Sequence, residues 1–220
     1  ESYDTVVIML HGGGGSGEEW YYGRKSAYQA GWLGDLVGFK YVFPTSALEG
    51  RVWYNSFKND CGLDDDCAYD IPSIEDSASR VSDLIAYEIS QPQVGDAKKV
   101  FLAGFSQGAQ LTSYMQIAKL DYALGGAVVM DGFPLPPLCD MGKGGASPAE
   151  ARANATYYGD DMNFMLWHGE ADSIFPLDLT EESYAGVFEA LGVQDTLKVN
   201  HTEPGQPHSV IESEIQRMVE

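Results

Sequence analysis

The sequence predicts an α/β fold: a mostly parallel central sheet with helices on both faces. Three observations carry this. Short apolar runs alternate with helix-spaced amphipathic segments from one end of the chain to the other. The runs are apolar without alternation, Val6-Val7-Ile8-Met9-Leu10 being the first, as strands covered on both faces are. At 220 residues and 44% hydrophobic content, the chain can bury one full core, so residues 1–220 are expected to form a single domain.

Each element has its own signal. Strands are expected at Val6–Leu10, at Tyr41–Phe43 before Pro44, at Val100–Ala103, at Ala127–Met130, at Phe164–Trp167 and at Thr196–Val199. A helix begins near Glu18 and carries Trp20, Tyr21, Ala27 and Tyr28. Ser73 with Asp76 reads as a helix N-cap, followed by Ile74, Ala78, Val81, Leu84, Ile85 and Ile89 on one face and ended by Pro92. Ala109, Leu111, Tyr114, Met115 and Ala118 mark the next helix, Thr180–Leu191 another, and Ser209–Val219 a last one. Two long connections, residues 44–72 and 132–163, lack regular periodicity. Connections of that length usually carry function or are disordered.

Composition narrows the partners. A formal net charge of −20 opposes binding to nucleic acid and to anionic membrane surfaces. No apolar run approaches the roughly 18 residues that span a bilayer, so no stable membrane insertion is expected. Cys61 and Cys67 flank a short acidic loop that a disulfide would close, and no histidine stands nearby to make a metal site of them. Cys139 reads as a small buried apolar residue. Asn154-Ala155-Thr156 and Asn200-His201-Thr202 are glycosylation sequons. Together with the start at Glu1 rather than a methionine, these features predict a secreted protein whose leader has been removed, with the cytoplasm as the alternative.

In parallel sheets of this kind, sites gather at the carboxyl ends of the strands. There the chain places Gly104-Phe105-Ser106-Gln107-Gly108, a Gly-x-Ser-x-Gly sequence between an apolar run and a helical one. The strand ending at Trp167 is followed by His168-Gly169-Glu170-Ala171-Asp172, and the last strand by Pro207-His208. The order Ser106, Asp172, His208 is nucleophile, acid, base, the order of α/β-hydrolases. A serine hydroxyl is a poor nucleophile until a histidine takes its proton, and a carboxylate fixes that histidine's tautomer. Backbone N–H groups of Gly13 and Gln107 are the candidate oxyanion donors. Asp172 competes with Glu170 and Asp178; the chain turn before Pro176 favours Asp172. His11 and His168 precede glycines and read as loop braces, and His201 lies within a sequon. Trp53, Phe133 and Phe175 either line a substrate pocket or fill the core.

Gly12-x-Gly14-x-x-Gly17 after the first strand also fits a dinucleotide fingerprint. That fingerprint needs an acid at the end of the second strand, which here ends Phe43-Pro44-Thr45. No Lys-Ser or Lys-Thr follows the glycines to make a phosphate loop, and no cofactor or metal is expected.

His11-Gly12-Gly13-Gly14, Gly104-Phe105-Ser106-Gln107-Gly108-Ala109, His168 to Asp172 and Pro207-His208-Ser209 resemble the acyl-protein thioesterase/carboxylesterase (phospholipase) family. The resemblance implies an α/β-hydrolase without a large cap domain, a Ser106–His208–Asp172 triad and an oxyanion hole at Gly13 and Gln107. It implies hydrolysis of carboxylic esters or acyl thioesters. The expected partner is a small-molecule or acylated ester, and the chain is expected to be a monomer or homodimer. The position of Trp53 is similar to that of a tryptophan beside the family's active site. The chain departs from the family in its cysteine-flanked acidic loop, its Gly/Pro segment after Asp131 and its small residue at Gly13, where members often carry a larger apolar one. Lysophospholipids and feruloyl- or acetyl-type polymer esters are alternative substrates. A non-catalytic ligand-binding protein on the same scaffold is the alternative outside the enzymes.

Overall fold

The computed structural model describes residues 3–29, 38–56, 69–135, 163–191 and 197–210. Its framework is one six-stranded sheet built from β1 (Thr5–Leu10), β2 (Phe39–Val42), β3 (Val100–Phe105), β4 (Gly126–Met130), β5 (Phe164–Gly169) and β6 (Leu197–Glu203). The strand order is β2-β1-β3-β4-β5-β6, and every neighbouring pair is parallel. The helices are α1 (Gly17–Gln29), α2 (Ile71–Ile89), α3 (Gln107–Tyr114) and α4 (Leu177–Leu191). This is the expected α/β-hydrolase arrangement.

The pleat explains why the strands are apolar throughout. Val6, Ile8 and Leu10 point to one face, where they join Leu102, Val129, Ile74, Ile85 and Leu111 in the larger core. Val7 and Met9 point to the other face and pack with Ala103, Met130 and Trp167, against Trp20, Tyr41 and Phe43. Ile8 and Leu102 are fully buried, a burial worth about 1.5–3 kcal/mol for each side chain.

Several elements differ from the sequence expectation. Helix α2 starts at Ile71 with Asp70 as its N-cap and Pro72 in its first turn, two residues ahead of Ser73. The Ser73 hydroxyl lies inside the helix, donating to Asp70 O and accepting from Asn55 N. Helix α3 changes pitch after Tyr114 and closes with a π-helical turn over Met115–Lys119. Strands β5 and β6 run to Gly169 and Glu203, past the polar residues that had marked their ends. His168 stays in β5 because its ring nitrogen bonds Phe175 O at 2.6 Å, which removes the penalty for burying it. The last predicted helix falls mostly in 211–220, outside the described residues, as do Cys61, Cys67, Cys139 and Asn154. Among the described residues, no helix is long and apolar enough to cross a membrane.

Candidate active site

Ser106 stands at the turn between β3 and α3 with φ 53° and ψ −120°. A non-glycine residue rarely adopts this left-handed conformation, and it holds only where its surroundings enforce it. Two glycines permit the turn. A Cβ on Gly104 would lie 2.2 Å from Gly108 O, and one on Gly108 would lie 2.4 Å from Leu10 O. Strand, helix and the neighbouring strand therefore approach more closely than any side chain allows. The Ser106 amide donates to Met130 O at 2.9 Å, tying the turn to β4.

The structure brings Ser106, His208 and Asp172 together from three strand ends. His208 Nε2 lies 2.9 Å from Ser106 Oγ, and His208 Nδ1 lies 2.7 Å from Asp172 Oδ2. Since the carboxylate accepts, Nδ1 carries the proton and Nε2 presents its lone pair to the serine. Asp172 Oδ1 accepts from the N–H groups of Ile174 and Phe175, at 2.8 and 2.9 Å. Burial pushes the Asp172 carboxyl up, but the bonds from His208 and from the Phe175 and Ile174 amides outweigh it, and its pKa lies below the usual value. Phe105 and Phe175 pack on the His208 ring, with centroids at 4.9 and 5.2 Å.

The candidate oxyanion loop is braced from outside the site. Gly14 N–H donates to Arg51 O and Gly15 N–H to Gly12 O, each at 3.0 Å. Among the described residues, the Gly13 N–H has no such backbone acceptor. Gln107 opens α3, where first-turn N–H groups lack intrahelical partners. Its side chain does a second task that the sequence did not reveal. Gln107 Oε1 accepts from Trp53 N at 2.7 Å, and Nε2 donates to Tyr54 O at 2.9 Å. Trp53 Nε1 in turn donates to His11 O at 2.7 Å. Segment 51–54 is thus a strap that grips the glycine loop at Gly14 and His11 and is gripped by Gln107.

Trp53 is 4% exposed and sits on the His11 ring, with centroids 4.8 Å apart. Phe133 is likewise buried, and its ring meets Phe175 edge-on at 4.8 Å. His11 accepts from Ser46 N through Nε2 and bonds Gly12 O through Nδ1, and burial lowers its pKa. His168 bonds Phe175 O and closes the turn that holds Asp172. Glu170 is exposed and contacts Thr202.

One residue was missed. Asp131, immediately after β4, is fully buried, and its carboxylate accepts from Gly169 N at 2.8 Å and Ser209 N at 3.2 Å. The available signal was the one that found Ser106 and Asp172: a polar residue at a strand's carboxyl end. Donor atoms of Asp131, His168 and Asp172 lie within 4.8 Å of one another, close enough for a cation. They are already engaged by Gly169, Ser209, Phe175, Ile174 and His208, so a metal would have to displace these bonds.

Comparison with known proteins gives the chain's relatives and its family. The acyl-protein thioesterase 1 of Debaryomyces hansenii is 27% identical over 96% of this chain and 87% of its own length. The feruloyl esterase B of Talaromyces funiculosus is 25% identical over 82% of this chain but only 53% of its own length. The crystal structure of Zea mays acyl-protein thioesterase 2 superposes with a TM-score of 0.70 at 19% identity, covering 99% of this chain and 92% of that one, and so shows a shared fold. Alignment with acyl-protein thioesterases over nearly the whole chain points away from secretion and overturns the expectation of a secreted protein. The sequons and the cysteine pair were weak signals, since both patterns arise readily by chance. The phospholipase/carboxylesterase family matches residues 1–220, and the chain belongs to that family of carboxylic ester hydrolases.

Proposed function

We propose that this chain, read as one domain, cleaves carboxylic esters and acyl thioesters through an acyl-enzyme formed on Ser106. The observation that carries this is the continuous path from Ser106 Oγ to His208 Nε2 and from His208 Nδ1 to Asp172 Oδ2. Ser106 Oγ attacks the acyl carbon as its proton passes to His208 Nε2. Asp172 stabilises the imidazolium without taking its proton. The carbonyl oxygen gains negative charge and meets the N–H groups of Gly13 and Gln107, each donor worth about 3–4 kcal/mol in the transition state. The tetrahedral intermediate collapses, the imidazolium protonates the departing alkoxide or thiolate, and the acyl group stays on Ser106. Water then attacks the ester, gives a proton to His208, and releases the acid.

Phe175 packs against His208 and is proposed to meet the substrate, with Phe133 buried edge-on behind it. Trp53 acts through the strap rather than through open contact, since little of it is exposed. The same aromatic pair, with the feruloyl esterase relative, favours esters of aromatic acids as a second substrate class. The chain is proposed to work as a monomer or homodimer on a small-molecule ester.

The test is a series of p-nitrophenyl esters from acetyl to palmitoyl, with a cinnamoyl ester and an acyl thioester, on the wild type and Ser106→Ala. The proposal expects turnover that Ser106→Ala abolishes while the circular dichroism spectrum is unchanged. Substantial residual turnover would remove Ser106 from its role. Optimal turnover of the cinnamoyl ester would select the aromatic class.

A further inference from the structure

Asp131 has no task in the mechanism as so far derived, yet it occupies the centre of the site's framework. It sits at the carboxyl end of β4, between β3, which leads to Ser106, and β5, which leads to Asp172. Its backbone holds a positive φ of 48°, and its amide donates to Trp167 O at 2.9 Å. The other described non-glycine residues with positive φ are Ser106 and Arg51, which serve the nucleophile turn and the strap. Strained backbone of this kind persists where other contacts enforce it.

Those contacts are informative. Oδ1 accepts the N–H of Gly169, three residues before Asp172, and Oδ2 accepts the N–H of Ser209, the residue after His208. One carboxylate therefore joins the acid-bearing segment to the base-bearing one. Among the described residues, three titratable groups face it: His168 from β5, with Nδ1 3.9 Å away, Asp172 from the segment between β5 and α4, and His208 from beyond β6. Burial raises the Asp131 pKa, and the Asp172 carboxylate adds to this, while the Gly169 amide and His168 pull the other way.

We propose that Asp131 is a positioning residue for His208: it fixes the histidine segment against the Asp172 segment and places a second negative charge behind the imidazolium. The role rests on Ser106 and His208 acting as nucleophile and base. A displacement of about 1 Å in a reacting group lowers turnover on the order of a hundredfold, so a latch joining the two segments bears on kcat more than on binding. A nearby anion also favours the protonated ring.

Asp131→Asn is the informative change, because Asn tolerates this left-handed backbone and can still accept one of the two N–H groups. The expected result is a fall in kcat of about tenfold or more, with KM within about twofold. The acidic limb of kcat/KM should also move to lower pH by about half a unit or more, since one anion no longer favours the imidazolium. A loosened loop alone would lower kcat and leave the limb in place. An unmoved limb, or kcat within twofold of wild type, overturns the proposal. Circular dichroism reports folding, and Asp131→Ser removes the same charge with a smaller side chain if the Asn chain does not fold. Ser106→Ala is assayed in parallel: turnover there would mean that Ser106 is not the nucleophile, whatever Asp131 does.

Discussion

Replacing Gln107 by alanine separates the two tasks of that residue. The backbone N–H proposed for the oxyanion hole stays, and the side-chain bonds to Trp53 N and Tyr54 O, at 2.7 and 2.9 Å, are lost. Each such bond contributes about 1 kcal/mol net, and a buried partner left unpaired costs about 1–3 kcal/mol. Trp53 and Tyr54 are 4% and 3% exposed, so water reaches the orphaned groups poorly. A destabilisation of about 2–4 kcal/mol follows, which for a chain of this size lowers Tm by roughly 4–16 °C. The strap also supports Gly14 through Arg51 O and His11 through the Trp53 indole. A looser strap misaligns the proposed Gly13 donor, and kcat should fall about tenfold, less than the hundredfold or more expected when a donor is removed outright. Differential scanning calorimetry and steady-state kinetics on a p-nitrophenyl ester measure both. Gln107→Glu keeps the acceptor for Trp53 N but sets a carboxylate against Tyr54 O, and should be at least as harmful. A Q107A chain with Tm within 1 °C of wild type and unchanged kcat would show that the clamp does not hold the oxyanion loop.

Other expectations concern charge. Lys40 bonds the buried Glu88 through both carboxylate oxygens at 2.8 Å, while the lysine is 32% exposed. Lys40→Met leaves Glu88 unpaired and should cost about 2 kcal/mol, below the full penalty for a fully buried pair, whereas Glu88→Gln should cost less. Equal Tm values for Lys40→Met and wild type would contradict this. For Asp131, burial raises the folded pKa above the unfolded value of about 3.9, so the folded chain holds that proton more tightly. Its contribution to wild-type stability is full below about pH 4 and is lost as pH rises through the folded pKa. Asp131→Asn lacks this loss, so Tm of the variant relative to wild type should rise with pH across that window. Asp172, with its depressed pKa, has the opposite sign: it stabilises above about pH 4 and loses that contribution as pH falls through its folded value. A pH-independent Tm difference for Asp131→Asn would refute the assignment of that carboxyl.

Most of the framework was legible because its signals are local. Apolar runs without alternation marked strands buried on both faces, and the glycines around Ser106 marked a turn tighter than a side chain permits. Chain order then selected Asp172 and His208. What was not legible depends on partners far apart in sequence. Ser73 looked like an N-cap because serine caps helices, but Pro72 already fits the first turn and moves the start to Ile71. His168 and Gly169 looked like a loop, since nothing in the sequence reveals that Phe175 O and Asp131 satisfy them inside the sheet. The Gln107 side chain bonds backbone some fifty residues upstream, which no periodicity records. Asp131 was marked in the sequence only as a polar residue at a strand's carboxyl end, because its partners are backbone amides, which leave no mark of their own.

Ser106 as the nucleophile, activated by His208, is the assignment on which the other expectations depend. A fluorophosphonate probe tests it most directly, with the adduct located by peptide mass mapping. One adduct should form, on the peptide containing Gly104 to Gly108, absent in Ser106→Ala and formed far more slowly in His208→Ala. An unlabelled wild type, an adduct on another residue, or labelling at full rate without His208 would remove Ser106 and His208 from these roles.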